Sequence, residues 1–147
     1  MFKHLLVPTD GSPLSQDAVA RAVSFAKETG ARITFFYAEP DAPAAYVGMG
    51  ALGDPHLEQE VHARLDAAAH DILNAAQQQA QAAEVESQQL VLVGDRPAAL
   101  IIQAAESKGC DLIFMASHGR RGVTALLLGS ETNKVLTHSK IPVLVYR

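Results

Sequence analysis

Five short apolar runs alternate with stretches of helical period along this chain, and that alternation leaves few folds open. Leu5-Leu6-Val7, Ile33 to Ala38, Ser87 to Val93, Leu112 to Ala116 and Val143 to Tyr146 read as strands. A helix is predicted from Pro13 to Thr29, with Ser12 as its cap, Pro13 in its first turn and Gly30 as its stop. Leu57, Val61, Leu65, Ala68, Ile72 and Ala76 recur at helical spacing and predict a long helix that fades into the polar run Gln77-Gln78-Gln79. Pro97 and Gly109 frame a further helix around Leu100, Ile101, Ala104 and Ala105, and Ser130 to His138 makes the last. Strands and helices in strict alternation imply a parallel sheet with helices on both faces and right-handed crossovers. With no internal repeat and no boundary in composition, residues 1–147 read as one domain.

The chain is 48% hydrophobic and 19% charged, a balance that folds around a core. A net charge of −4 offers no broad basic surface and argues against a nucleic-acid partner. No apolar run approaches the roughly 20 residues that span a bilayer, so no membrane partner is expected. Met1-Phe2-Lys3-His4 leads straight into the first strand without a signal-peptide layout, and the expectation is a soluble cytoplasmic protein. The single cysteine, Cys110, excludes an intrachain disulfide and a cysteine metal cluster, and reads as a small buried residue.

The segment from Ala116 to Ser130, ASHGRRGVTALLLGS, carries the strongest chemical signal. It leaves a strand, turns at Gly119 and Gly122, and ends in Gly129-Ser130 where a helix begins. Flexible backbone and a helix amino end present bare N–H groups and a positive dipole end, and Arg120 and Arg121 add charge; together they suit phosphate. The plainer alternative is a tight turn, a Ser130 N-cap and a solvated arginine pair. Ligands of open parallel sheets lie beyond the carboxyl ends of the strands, where strand order reverses. If the first and fourth strands are neighbours there, Asp10 and Gly119 flank one crevice. Asp10 itself reads either as an acceptor for ribose hydroxyls or as an Asp-Gly turn at the start of a helix.

The opening HLLVPTDGSPLSQDAVARAVSFA, the central VGDRPAALIIQAAESKGCDLIFMASHGRRG and the closing LLLGSETNKVLTHSKIPVLVYR resemble the universal stress protein family over essentially the full length. That family's nucleotide motif is Gly, two residues, Gly, nine residues, then Gly followed by Ser or Thr. Here Gly119, Gly129 and Ser130 match it, and Ala116 stands in place of the first glycine. The resemblance implies a single doubly wound, Rossmann-like five-stranded sheet of order 3-2-1-4-5. It implies ATP, with or without Mg2+, as cofactor, and a homodimer paired through the C-terminal strand. An apolar edge at Val143-Leu144-Val145-Tyr146 otherwise invites aggregation. Carried onto this chain, the adenosine lies near Asp10, flanked by Pro8 and Thr9, with Ala38 offering backbone to adenine and Ala116 beside the ribose. Gly119, Gly129 and Ser130 hold the phosphates. Val93, Gly94, His118, Arg120, Arg121, Gly122, Glu131 and Thr132 complete the expected contacts.

Other motifs give less. Gly48-Met49-Gly50-Ala51-Leu52-Gly53 spells a dinucleotide fingerprint, but no strand runs into it and Asp54-Pro55 interrupts before the helix, so it reads as part of the long loop from Glu39 to Pro55. No Walker A sequence is present. His62, Asp66 and His70 form a stripe on one helical face, read as solvated side chains rather than metal ligands. His118 lacks an orienting carboxylate nearby in sequence, and no catalytic residue is assigned. The leading expectation is an ATP-binding regulatory protein of the stress response, acting on an unknown protein partner. The alternatives are a slow Mg-dependent ATP hydrolase using Asp10 or His118, and a nucleotide-free dimeric interaction module.

Overall fold

The computed structural model describes residues 1–41, 54–120 and 127–147. Strands β1 (His4–Pro8), β2 (Arg32–Glu39), β3 (Ser87–Val93), β4 (Leu112–Ala116) and β5 (Val143–Tyr146) form one parallel sheet in the order β3-β2-β1-β4-β5. Between them run α1 (Pro13–Thr29), α2 (Pro55–Ala82), α3 (Pro97–Lys108) and α4 (Ser130–His138). The doubly wound sheet expected from the sequence is the fold observed.

The central strands are covered on both faces, which is why they read as unbroken apolar runs. Leu5, Val7, Ile33, Phe35, Leu112 and Phe114 pack with α1 and α2, while Leu6, Phe36, Ile113 and Met115 pack with Ile101 and Ala104 of α3 and Val135 of α4. Leu5, Leu6, Val7, Phe35 and Phe36 have no exposed surface, each contributing about 1.5–3 kcal/mol of burial. The outer strands β3 and β5 are only partly covered. Ser12 caps α1, its side chain accepting from the Ser15 N–H, and left-handed Gly30 and Gly109 end α1 and α3.

Three local expectations need correction. Helix α2 does not fade at Gln77 but continues to Ala82. Buried Ala76 and Ala80 anchor it, and Gln77 is drawn into the fold, its Nε2 donating to the Ser87 carbonyl at 3.2 Å and its Oε1 accepting from Gln89 Nε2 at 2.7 Å. Its buried stripe is Val61, Ala69, Leu73, Ala76 and Ala80, while Ala68 and Leu57 are exposed. Apolar residues occur at both 68 and 69 and at both 72 and 73, so the sequence pattern alone did not fix the phase. Ser130 is not the cap of α4: Gly129 occupies that position and Ser130 is the first helical residue. The segment Gly48 to Gly53 lies outside the described residues, as do Arg121 and Gly122.

Candidate functional site

Strand order reverses between β1 and β4, so the crevice such sheets offer opens beyond Pro8 on one side and Ala116 on the other. On the β1 side the chain is tightly fixed. Thr9 donates its N–H to the Phe36 carbonyl at 2.9 Å, and its Oγ1 lies 2.6 Å from Ser15 Oγ. Ser15 Oγ also accepts from the Asp10 N–H at 3.1 Å, and Asp10 Oδ1 accepts from the Ser12 N–H at 2.9 Å. Gly11 supplies the left-handed residue this turn needs, with φ +76, and a Cβ there would crowd Ile72 of α2 and come up to the Arg120 guanidinium.

On the β4 side, Ala116 is the last strand residue, 8% exposed, and its backbone is not left-handed. Ser117 donates its N–H to the Tyr146 carbonyl, and its own carbonyl accepts from the Gly129 N–H, each at 2.7 Å. Buried Thr132 donates its hydroxyl to the Ala116 carbonyl at 3.0 Å, seating the first turn of α4 on the end of β4. A side chain at Gly129 would press on the His118 backbone and the Ser117 carbonyl, so glycine permits this close approach. No side chain caps the amino end of α4.

The two sides meet at Asp10. Its Oδ2 accepts from the Arg120 N–H at 2.8 Å, and a Cβ on Gly119 would run into that same oxygen. Burial alone raises the carboxyl pKa, but hydrogen bonds from Ser12 and Arg120 and the Arg120 charge outweigh it and hold Asp10 below the ordinary carboxylate value. His118 Nδ1 lies 3.2 Å from Ser117 Oγ.

The structure thus brings together Thr9, Asp10, Ala116, His118, Gly119, Arg120, Gly129, Ser130 and Thr132, with Pro8 at the β1 end. Ala38 lies on neighbouring β2, partly buried. Val93 and Gly94 stand farther out at the end of edge strand β3, where Gly94 donates to the Glu39 carbonyl at 2.9 Å. Glu131 faces elsewhere: its Oε2 accepts from the Ala98 N–H of α3 at 2.9 Å, and its Oε1 pairs with Lys134. Sequence reasoning missed Ser15 and Ser117, whose roles depend on tertiary contacts. It also treated Glu39 as loop, whereas Glu39 ends β2 and is 4% exposed, with its pKa raised by burial and by Asp66 of α2. The Asp10–Ser12 contact was readable as an aspartate bonding two residues ahead.

The model of the universal stress protein family matches residues 1–147. This chain belongs to the universal stress protein family. Among relatives, universal stress protein MJ0531 of Methanocaldococcus jannaschii is 33% identical over 147 residues, covering 100% of this chain and 83% of that protein. Among solved structures, hypothetical protein MJ0577 of the same organism matches at TM-score 0.82 and 26% identity, over 99% of this chain and 95% of the other. A universal stress protein in complex with cAMP matches at TM-score 0.69 and 25% identity, over 99% of this chain and 97% of the other. Among the described residues no helix is long and apolar enough to cross a membrane, and no group of three or more His, Cys, Asp or Glu could hold a metal ion.

Proposed function

We propose that this universal stress protein binds an adenine nucleotide, ATP in the working state, beyond the carboxyl ends of β1 and β4, as a regulatory ligand rather than a rapidly consumed substrate. The observation that carries the reading is the amino end of α4, bare of any side-chain cap and fixed against β4 by the Gly129–Ser117 hydrogen bond. That end supplies positive dipole and N–H groups to phosphate. Gly119, Gly129 and Ser130 would hold the phosphates, with Arg120 and His118 beside them. Ala116 fits this reading, since its extended backbone asks no glycine of the position and its methyl is buried in the core. The cAMP complex of a related protein supports an adenine nucleotide as the ligand.

Mg2+ would arrive on the nucleotide's phosphates, because no group of three or more His, Cys, Asp or Glu among the described residues could hold it. Rapid hydrolysis needs a positioned water together with charge stabilisation. Asp10, held below the ordinary carboxylate pKa by the Ser12 and Arg120 N–H groups, is a weak base, which supports slow turnover at most. We further propose a homodimer paired through β5, whose apolar side chains are half-covered within one chain, and a cytoplasmic location, where it would act on a protein partner. Calorimetry with ATP tests the site. Gly129→Asp in a folded variant should weaken binding at least about tenfold, because charge and bulk are placed where phosphate should lie. Unchanged affinity removes the assigned site, and a turnover near ~10 per second removes the regulatory role.

A further inference from the structure

We propose that Asp10 is a positioning residue: its carboxylate tethers the Gly119–Arg120 turn to the end of β1 and so sets where phosphate is held, instead of binding the ribose. The inference rests on the nucleotide reading above and gives one of its residues a different task. Oδ1 is taken by the Ser12 N–H at 2.9 Å and Oδ2 by the Arg120 N–H at 2.8 Å. The second contact joins residues 110 apart in the chain, across the point where strand order reverses.

Gly119 shows that the approach is built in. Its φ is not left-handed; among the described glycines that conformation falls at Gly11, Gly30 and Gly109, so backbone conformation does not require glycine at 119. Space does, because a Cβ would occupy the position of Asp10 Oδ2. The carboxylate is also aimed by the protein's own contacts. The Asp10 N–H is held by Ser15 Oγ, Ser15 Oγ by Thr9 Oγ1, and the turn by left-handed Gly11 over Ile72. A carboxylate whose oxygens both face backbone donors stiffens those donors' segments. Here that segment is the Gly119–Arg120 backbone, and holding it in place lowers the cost of binding phosphate beside it.

Equilibrium dialysis of labelled ATP, 2′,3′-dideoxy-ATP and adenosine against wild type, Asp10→Ala and Asp10→Asn separates the two tasks. Asp10→Ala should weaken ATP and dideoxy-ATP by one common factor of about tenfold, leaving adenosine within about twofold. Asp10→Asn, which keeps one carbonyl oxygen, should fall between, and it carries the test if Asp10→Ala does not fold. A penalty that vanishes with dideoxy-ATP would assign Asp10 to the ribose and overturn the proposal, as would an equal penalty for adenosine. Hydrogen exchange of the ligand-free protein reads the tether alone: the Arg120 amide should be protected in wild type and exchange faster in Asp10→Ala. A wild-type Arg120 amide exchanging at the rate of a free amide overturns the tether. Wild type that shows this protection yet binds no ATP overturns the nucleotide reading instead.

Discussion

The two ends of the sheet use the same device for different purposes. At the carboxyl end Asp10, just after β1, accepts the N–H of Arg120, just after β4. At the amino end Asp111, just before β4, accepts the N–H groups of Lys3 at 2.9 and 3.1 Å and of His4 at 3.0 Å, at the start of β1. In both places an aspartate ties β1 to β4 through backbone donors. Beyond Asp111 the amino end is lined by side chains that largely pair with one another: His4 Nε2 meets Thr34 Oγ1 at 2.7 Å, Gln88 Nε2 donates to that hydroxyl at 2.8 Å, and Cys110 is buried beside them. His4 Nδ1 has no partner among the described residues, and a small cleft opens between His4, Arg32, Glu86, Gln88 and Lys108. Beyond Asp10 the carboxyl end runs into glycines and an uncapped helix. A carboxylate bridge occurs at both ends, and what sets the carboxyl end apart is the glycine backbone and the uncapped start of α4 beside it.

The largest effect that would break this contrast concerns Cys110. Burial pushes its thiol from the usual 9.0 up to about 11, which cuts the thiolate fraction about a hundredfold at neutral pH. Native protein should react with a thiol reagent at least that much more slowly than urea-unfolded protein. Fast labelling would mean that the amino end is open down to Cys110.

Next in size is Asp111→Ala. It strips the acceptor from two backbone donors and should cost about 1–3 kcal/mol, lowering Tm by several degrees. Nucleotide affinity should not change, and a shift in both would erase the distinction between the ends. Gly119→Val should do the reverse, displacing the Asp10 carboxylate and weakening ATP at least about tenfold with a smaller loss of Tm. Equal affinity for ATP in that variant would place the phosphates elsewhere.

The smallest effect is in pH. Burial, then the Arg32 charge, lowers the His4 pKa below 6.5, so the folded state favours neutral imidazole although Asp111 and Glu86 pull the other way and Lys108 adds to the lowering. The stability this contributes is complete above the unfolded pKa near ~6.5 and is lost as pH falls through the lower folded value. Thermal melts of wild type should therefore decline below about pH 6.5, and His4→Gln should flatten that limb. The carboxyls of Asp10 and Asp111 are both depressed despite burial, and their share is lost only below roughly pH 4. An unchanged limb in His4→Gln would shift the acid sensitivity to another group.

These contrasts also show where sequence was informative. Strand positions were legible because β1, β2 and β4 are buried on both faces, and unbroken apolar runs of that length leave little choice. Both C-cap glycines were legible because left-handed backbone selects the residue type. The phase of α2 was not, since paired apolar residues at 68–69 and 72–73 satisfy two stripes equally and tertiary packing chooses between them. At the site, the helix start and the glycine turn were visible as local pattern. The partner of Asp10 was not, because a hydrogen bond between residues 110 apart leaves no periodic trace. Glu131 shows the same limit: nothing local reveals that its carboxylate turns to the neighbouring helix.

That turn of Glu131 has an evolutionary consequence. Helix α3 begins after Arg96 with no side-chain cap of its own and takes its acceptor from α4. Its first turn is thus held by a residue 33 positions downstream. A lineage that acquired Ser, Thr or Asp at position 96 would release position 131 to drift, and one that lost the acid at 131 would come under pressure to acquire such a cap. The two sites should change together across descendants of this chain, as an inherited pair rather than as two separate residues.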